Sequence, residues 1–247
     1  MTNEQILIKV KKLIELHKAG ALGGEVMPED SNPNFKKDSE ENYLYFTLPM
    51  ALNYQRNSYK LWESALASWL DPSTKDVFYP SKVAKMPYEE LKAKLTKHKI
   101  ALQPNKQPAI WRTLCQTLVE NFSGSVKNLF KANFNDIAKI KGYILANKKD
   151  FPYLSGTKIL NYWLYVMTQY TSTTFSGREN ITIAPDTHIL QASVKIGVLT
   201  KQELTKSNIR EIASERWENI LKGSGIAPID LHTPFWLWSR NGFVVEV

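Results

Sequence analysis

Apolar residues recur at helical spacing along most of this chain. The first such stretch runs from Ile6 to Ile14, and the glycines that begin at Gly20 predict its end. Residues 43–70 form a dense aromatic and aliphatic stretch, which predicts two helices that meet around residues 55–58. Further helices are expected at about 87–97, 107–121, 135–148, 157–170, 186–197 and 207–222. Because alternating strand patterns are nearly absent, the chain is predicted to have an all-α fold.

Two helical lobes that share a cleft are the expected architecture. The Pro-, Asn- and Lys-rich stretch at residues 103–108 predicts the break between them. One lobe is then expected at about residues 107–200, and the second combines residues 1–106 with residues 201–247. Together they form a single functional unit.

The charge balance gives a first indication of function. The chain has 32 Lys and Arg residues against 24 Asp and Glu residues, which is a formal net charge of +8. Such an excess is typical of nucleic-acid binders, although other basic proteins share it. No apolar run approaches the roughly 20 residues that cross a bilayer, which predicts a soluble, unexported, cytoplasmic protein.

The single cysteine, Cys115, excludes several chemistries. A lone thiol cannot form an internal disulfide, a zinc site built on paired thiolates or a four-cysteine iron–sulfur cluster. Its position between Leu114 and Leu118 of a predicted helix favours a buried packing role over that of a nucleophile.

Residues 136–171 predict a helix-hairpin-helix arrangement. A first helix is followed by a short break at residues 150–156 and then by a second helix. In the second helix Lys158 begins a polar face that Tyr162 and Tyr165 continue, opposite the apolar side chains. Lys158 is therefore expected at the mouth of the hairpin. From this pattern alone, Lys158 is expected to be a solvated surface lysine, since lysines are mostly exposed.

A second segment, IAPDTHIL at residues 183–190, predicts the start of another helix. Asp186 follows Pro185 and is expected as an N-cap or first-turn acid. A carboxylate held there is fixed in position and biased toward its ionised form, as a group that stabilises a developing cation must be. Capping and catalysis are therefore compatible roles for Asp186. His188 lacks a second ligand at helical spacing, so no metal site is predicted.

The order of the hairpin, Lys158 and the PDTHIL segment resembles the helix-hairpin-helix superfamily of DNA glycosylases. Three motifs are most similar to the archaeal-type 8-oxoguanine DNA glycosylases within it: Tyr54-Gln55 before a Trp-rich helix, GTKIL at residues 156–160 and GIAPIDLHTPFWLW at residues 225–238. The resemblance covers roughly residues 43–240. It implies a two-lobed helix-hairpin-helix glycosylase fold with the active site in the cleft between the lobes.

The resemblance also implies roles for individual residues. Lys158 is expected to be the nucleophilic amine and Asp186 the catalytic carboxylate. Gln55 is expected to read the edge of an extruded base and Trp236 to stack on it. The family's pocket acid near the C-terminus falls on His232 here, which leaves open how the N7 side of an oxidised guanine is read.

The hairpin is expected to bind a DNA phosphate through the backbone amides of Ser155, Gly156 and Thr157. Gly156 permits a positive φ and a close phosphate approach, or is an ordinary turn glycine. The hairpin has one glycine where many superfamily members have two, and residues 171–180 look like an inserted loop.

The implied activity is base-excision repair of double-stranded DNA that contains a damaged base. The enzyme would flip out and remove 8-oxoguanine, and a Lys158 Schiff base would then allow β-elimination, which is AP lyase activity. The reaction requires no cofactor, and a structural monovalent cation at the hairpin carbonyls is compatible with it. A monomer without a membrane partner is expected, associated with the nucleoid while it acts on DNA.

Two alternatives to this activity stay open. One is a non-catalytic helix-hairpin-helix DNA-binding module, in which Lys158 contacts phosphate and Asp186 only caps a helix. The other is a glycosylase that acts on another damaged base or on a modified nucleoside.

Overall fold

The structure, a computed structural model, describes residues 1–23, 27–183 and 185–247. Within these ranges it contains no β-strand, and one isolated backbone bridge joins Asp136 to Ser176. The all-α prediction is confirmed. The helices are α1 (Asn3–Lys18), α2 (Glu40–Thr47), α3 (Ser58–Leu70), α4 (Pro80–Val83), α5 (Tyr88–Lys97), α6 (Gln107–Phe122), α7 (Val126–Ala132), α8 (Ile137–Ala146), α9 (Thr157–Tyr170), α10 (Thr187–Ile196), α11 (Ile209–Leu221) and α12 (His232–Arg240).

None of these described helices combines the length and the apolar character that a membrane span requires.

Most helices lie where the hydrophobic pattern predicts them, because side-chain caps reinforce the pattern at their starts. The Asn57 side chain accepts the Lys60 N–H at the start of α3, and the Asp136 side chain accepts the Lys139 N–H at the start of α8. Helix α12 lies outside the predicted ranges. It tolerates Pro234 because that residue is in the first turn, where an N–H has no partner within the helix.

The chain divides into two compact units. Unit 1 comprises residues 1–26 and 178–247, and unit 2 comprises residues 27–177. The predicted lobes, about 107–200 and 1–106 with 201–247, have different boundaries. Residues 103–108 form a tight turn within unit 2 instead of a break, because the Gln107 side-chain carbonyl accepts the N–H groups of Leu102 and Gln103 at 2.5 and 3.0 Å.

Unit 2 has a core rich in aromatic rings that joins residues from before and after that turn. The Trp111 indole N–H donates to the Val77 carbonyl at 2.8 Å, and the Trp163 indole N–H donates to the Thr47 hydroxyl at 3.0 Å. These buried hydrogen bonds tie α6 and α9 to the earlier part of the chain, so residues 27–177 fold as one body. Cys115 is fully buried in this core, as predicted, and its burial raises the pKa of its thiol.

Unit 1 has its own core, in which α1 packs against α11 and α12, and α10 packs against α12. Trp217, at its centre, donates its indole N–H to the Ser193 hydroxyl at 2.8 Å. Tryptophans contribute to both cores, and the four in unit 2 together with Trp217 in unit 1 are all buried: Trp62, Trp69, Trp111, Trp163 and Trp217.

Candidate active site

The loop of the hairpin, between α8 and α9, is closed by its own backbone hydrogen bonds. The N–H groups of residues 154–156 donate to the carbonyls of residues 151–153 at 2.8 to 3.0 Å. Of the residues predicted to bind phosphate, Ser155 and Gly156 therefore already have acceptors for their N–H groups within the loop. Thr157 is the first residue of α9, and Gly156 before it has no side chain that could cap the helix. The first turn of α9 is the part of the hairpin that offers N–H groups without an acceptor in their own helix.

Of the two alternatives for Gly156, the structure does not show the positive φ that glycine permits. Its φ is −67° and its ψ is 133°, a conformation open to any residue, whereas Tyr153 has the positive φ of 62°. Glycine is favoured at position 156 by the lack of space for a side chain, because a Cβ added there would lie 3.1 Å from the Tyr153 carbonyl oxygen. The glycine therefore allows the loop to fold tightly against the start of α9.

Lys158 is the second residue of α9, and its side chain is exposed. Along the same face, one and two turns later, stand Tyr162 and Tyr165, whose ring centroids are 6.2 Å apart. The predicted polar face of α9 is thus present. It is not a solvated face throughout, because Tyr162 and Tyr165 are each half-buried.

A buried carboxyl group, that of Glu29, lies beneath this face and was not predicted from the sequence. Its Oε1 accepts hydrogen bonds from the Tyr162 hydroxyl at 3.0 Å and from the Trp62 indole N–H at 2.9 Å. Next to it, Asp30 accepts the Tyr170 hydroxyl at 2.8 Å. The two acids of the Pro28–Asp30 turn therefore hold two of the tyrosines of α9.

Burial changes the proton affinity of this group. Glu29 is 1% exposed, and this desolvation raises the pKa of its carboxyl to about 7, against the opposing effect of its hydrogen bonds. Burial and the nearby Glu29 also raise the pKa of the Tyr162 hydroxyl well above its ordinary value. Sequence gave little signal for this contact, because Glu29 lies in a loop without periodicity and its partner is 133 positions away.

Gln55 lies in the loop before α3 with a positive φ of 50°, and its side chain is exposed. The neighbouring Tyr54 is 49% exposed, and its ring meets the ring of Tyr153 edge-to-face at 5.4 Å. Unit 2 therefore brings the Gln55 loop beside the hairpin. The Lys106 amine lies 5.0 Å from the centroid of the Tyr153 ring and adds a positive charge to this surface.

Asp186 is the N-cap of α10, as predicted. Its carboxylate accepts the Ile189 N–H at 3.0 Å, and its side chain is half-buried in unit 1. Ala184, two positions earlier in the same segment, lies outside the described residues. The cap fixes the position of the acid at the positive end of the helix dipole.

The α10 and α12 helices bring Trp236 against His188, two residues after this acid. The His188 ring, in the first turn of α10, meets the Trp236 ring at 5.7 Å and its Nδ1 lies 3.2 Å from the Ser239 hydroxyl. The Arg240 guanidinium lies 4.8 Å from the centroid of the Trp236 ring. His232, at the start of α12, is only 7% exposed, so its side chain belongs to the interior of unit 1 in this structure.

Comparison with known proteins identifies the fold. No protein-family profile matches the sequence, and no curated protein matches it. A solved structure of a trapped endonuclease III–DNA covalent intermediate, in its estranged-adenine complex, matches with a TM-score of 0.58. The alignment covers 100% of this chain and 90% of the other chain at 14% sequence identity. This chain has the endonuclease III fold.

The endonuclease III fold accounts for the architecture predicted from the sequence but not for individual residue roles. The predicted residues divide between the units of this fold. Unit 2 carries Gln55, Ser155, Gly156, Thr157 and Lys158, and unit 1 carries Asp186, His232 and Trp236.

Proposed function

We propose that this protein is a base-excision DNA glycosylase with associated AP lyase activity, and that its substrate is 8-oxoguanine in double-stranded DNA. The observation that carries the proposal is Lys158, an exposed amine at the uncapped start of the hairpin's second helix in a chain with the endonuclease III fold. The matching protein was trapped covalently on DNA. The net charge of +8 agrees with a DNA substrate.

The start of α9 suits both parts of this reaction. Its first-turn N–H groups and positive dipole end can bind a DNA phosphate, which holds the nucleotide next to Lys158. An amine attacks only in its neutral form, and the exposed Lys158 becomes desolvated when DNA covers it. Binding of the substrate thus supplies the burial that the free protein does not give this side chain.

The chemistry proceeds at the deoxyribose of the flipped nucleotide. The Lys158 Nζ bonds to C1′ as the bond from C1′ to the base nitrogen breaks, and the base leaves with that electron pair and takes up a proton. Nζ then loses a proton, and the bond between C1′ and the ring oxygen opens as that oxygen takes up a proton, which gives the Schiff base. Loss of a proton from C2′ then expels the 3′ phosphate. C1′ stays at the oxidation level of an aldehyde throughout, so these steps need no oxidant or reductant.

Asp186 would stabilise the positive charge that develops on the sugar. The cap on α10 supports this role, because it holds the carboxylate in one orientation. The proposal requires Asp186 and Lys158 to act on the same deoxyribose. Gln55 would read the edge of the base, and Trp236 would stack on it with its ring face opposite Arg240.

The test is borohydride trapping on a duplex that carries one 8-oxoguanine. We expect a covalent adduct between the parent protein and the lesion duplex, no adduct with the unmodified duplex, and none with Lys158→Gln. The matched control is Lys149→Gln, which removes another exposed lysine from the hairpin loop. This variant should still form the adduct. Equal trapping by Lys158→Gln and the parent would exclude Lys158 as the nucleophile.

Other outcomes separate the remaining functions. Release of free 8-oxoguanine without an adduct indicates a monofunctional glycosylase that depends on Asp186. Binding of duplex DNA without release of any damaged base from a panel of lesions indicates the non-catalytic DNA-binding module. The exposed position of Lys158 is also what that module would show, since such a lysine can contact phosphate.

A further inference from the structure

The buried Glu29 has a direct connection to the face of α9 that carries Lys158. Glu29 accepts the Tyr162 hydroxyl, and Tyr162 stands one helical turn after Lys158. Helical side chains lean toward the N-terminus, so the ring of Tyr162 extends back along the turn that contains Lys158. Whatever fixes this ring also shapes the surface beside the lysine.

Glu29 fixes the ring from inside unit 2. The carboxyl is 1% exposed, and its Oε1 also accepts the indole N–H of Trp62, on α3. A change of rotamer at Tyr162 would break its hydrogen bond to this buried carboxyl, and a hydrogen bond of this kind contributes about 0.5 to 3 kcal/mol. Glu29 therefore links the position of the Tyr162 ring to the contact between α3 and the Pro28–Asp30 turn.

We propose that Glu29 is a positioning residue for Lys158. It holds the hydroxyl of Tyr162, so that the tyrosine ring keeps one position beside the lysine and restricts the conformations of the lysine side chain. This inference rests on the proposed role of Lys158 as the nucleophile. Glu29 does not touch the substrate, because it is buried, and it differs in this respect from Asp186.

The proposal makes the reaction depend on the ionisation of Glu29. Among the described residues, the titratable groups that act on Glu29 are Asp30 on its own turn and Tyr162 and Tyr170 on α9, while α3 contributes the neutral Trp62. Tyr162 and Tyr170 stay protonated across the neutral range, because burial raises the pKa values of their hydroxyls. Glu29, with its pKa near 7, is the group that changes charge there. A hydrogen bond to a carboxylate is roughly twice as strong as one to a neutral acceptor, so Tyr162 is held more firmly above pH 7.

The experiment measures the single-turnover rate of adduct formation at pH 6 and pH 8, with saturating lesion duplex and cyanoborohydride. Glu29→Gln keeps an acceptor oxygen for both donors but stays neutral. At pH 6 it should react within twofold of the parent, and at pH 8 the parent should be about fivefold faster. Tyr162→Phe should react more slowly than the parent at both pH values. In the double variant, Glu29→Gln should cause no further loss of rate beyond that of Tyr162→Phe.

Tyr43→Phe is the matched control, because it removes another part-buried hydroxyl of unit 2, one that lies 2.7 Å from the Thr173 hydroxyl. It should react like the parent. Duplex affinity should be the same for all variants, which distinguishes positioning of the nucleophile from a general loss of binding. Thermal unfolding shows whether each variant is folded at both pH values.

The outcomes separate this inference from the proposed function. If the parent forms the adduct and Glu29→Gln matches it at both pH values, or differs by the same factor at both, the inference is wrong and the function stands. A loss of rate that follows a loss of DNA affinity also contradicts it. If the parent forms no adduct, the proposed function fails and the positioning role falls with it.

Discussion

The starts of α9 in unit 2 and α10 in unit 1 differ in whether a capping side chain accepts one of their first N–H groups. Helix α10 begins at Asp186, whose carboxylate accepts the Ile189 N–H at 3.0 Å. Helix α9 begins after Gly156, which provides no side-chain cap, and its first residues, Thr157 and Lys158, are exposed. One helix start is closed by its own acid, and the other is open to an external anion.

The difference shows how one physical feature can support two roles. Both helix starts carry the partial positive charge of the helix dipole. At α10 that charge stabilises an ionised side chain of the protein itself. At α9 it is left for a ligand such as a DNA phosphate. In the proposed enzyme, charge stabilisation therefore belongs to the closed start and phosphate binding to the open one.

The largest expected effect comes from Asp186→Asn, which separates the two roles of the closed start. Asparagine caps a helix about as well as aspartate, so the free energy of unfolding should change by less than about 0.5 kcal/mol. Loss of the negative charge should slow single-turnover base release by about 10² to 10³-fold. Asp186→Ala should show the same loss of rate together with about 1 kcal/mol of destabilisation.

Asp136→Asn is the matched control for that charge. Asp136 caps α8 through the Lys139 N–H at 2.9 Å and has no proposed part in the chemistry. Its substitution should leave base release unchanged. Full activity in Asp186→Asn would mean that the acid serves only as a cap, as in the DNA-binding alternative.

The second prediction concerns the carboxyl beneath α9, which unlike Asp186 lies inside its unit. An unfolded glutamate ionises near 4.5, and the folded Glu29 ionises near 7, so the folded state holds its proton over a wider pH range. The stability that Glu29 contributes is therefore fully present below pH 4.5 and is lost as the pH rises through about 7. Because one pKa unit is worth about 1.4 kcal/mol, the loss should reach about 3 kcal/mol.

Urea unfolding of the parent and Glu29→Gln at pH 4 and pH 8 measures this loss. The difference in unfolding free energy between the two proteins should shift by about 3 kcal/mol in favour of Glu29→Gln at pH 8. A difference that does not change with pH would contradict the buried, proton-holding state of Glu29. If the expected shift is found, Glu29 destabilises the parent most at the pH where it holds Tyr162 best.

The sequence predicted the parts of this picture that depend on local pattern. Apolar spacing located α6 and α9 within a residue of their observed bounds, and the Pro-Asp pair located the cap of α10. These features are encoded within a few neighbouring positions, so they can be recognised without knowledge of the fold.

Contacts between distant positions could not be predicted in the same way. The bond from Tyr162 to Glu29 and the hydrogen bond from Trp163 to Thr47 depend on how the helices of unit 2 pack. The lobe boundary expected at residues 103–108 differs from the observed unit boundaries for the same reason. This Pro-containing stretch has the composition of a linker, and only the structure shows that the Gln107 side chain closes it into a turn.

The smallest expected effect, that of Gly156→Ala, tests the open helix start directly. The backbone conformation at Gly156 suits alanine, so no strain arises from φ. The added Cβ would lie 3.1 Å from the Tyr153 carbonyl oxygen, and the loop must shift by a few tenths of an ångström to admit it. We expect the affinity for duplex DNA to fall several-fold, which corresponds to about 1 kcal/mol, with a smaller change in stability.

Gly142→Ala is the control within the same hairpin, because a Cβ at that position of α8 meets no atom within 4 Å. It should stabilise the protein by up to about 1 kcal/mol, as alanine favours the helix, and leave the affinity unchanged. Fluorescence anisotropy of a labelled duplex, at two salt concentrations, measures the affinities. If Gly156→Ala binds as tightly as the parent, the phosphate does not depend on the close packing of the loop against α9. The open start would then contribute through its dipole and Lys158 alone.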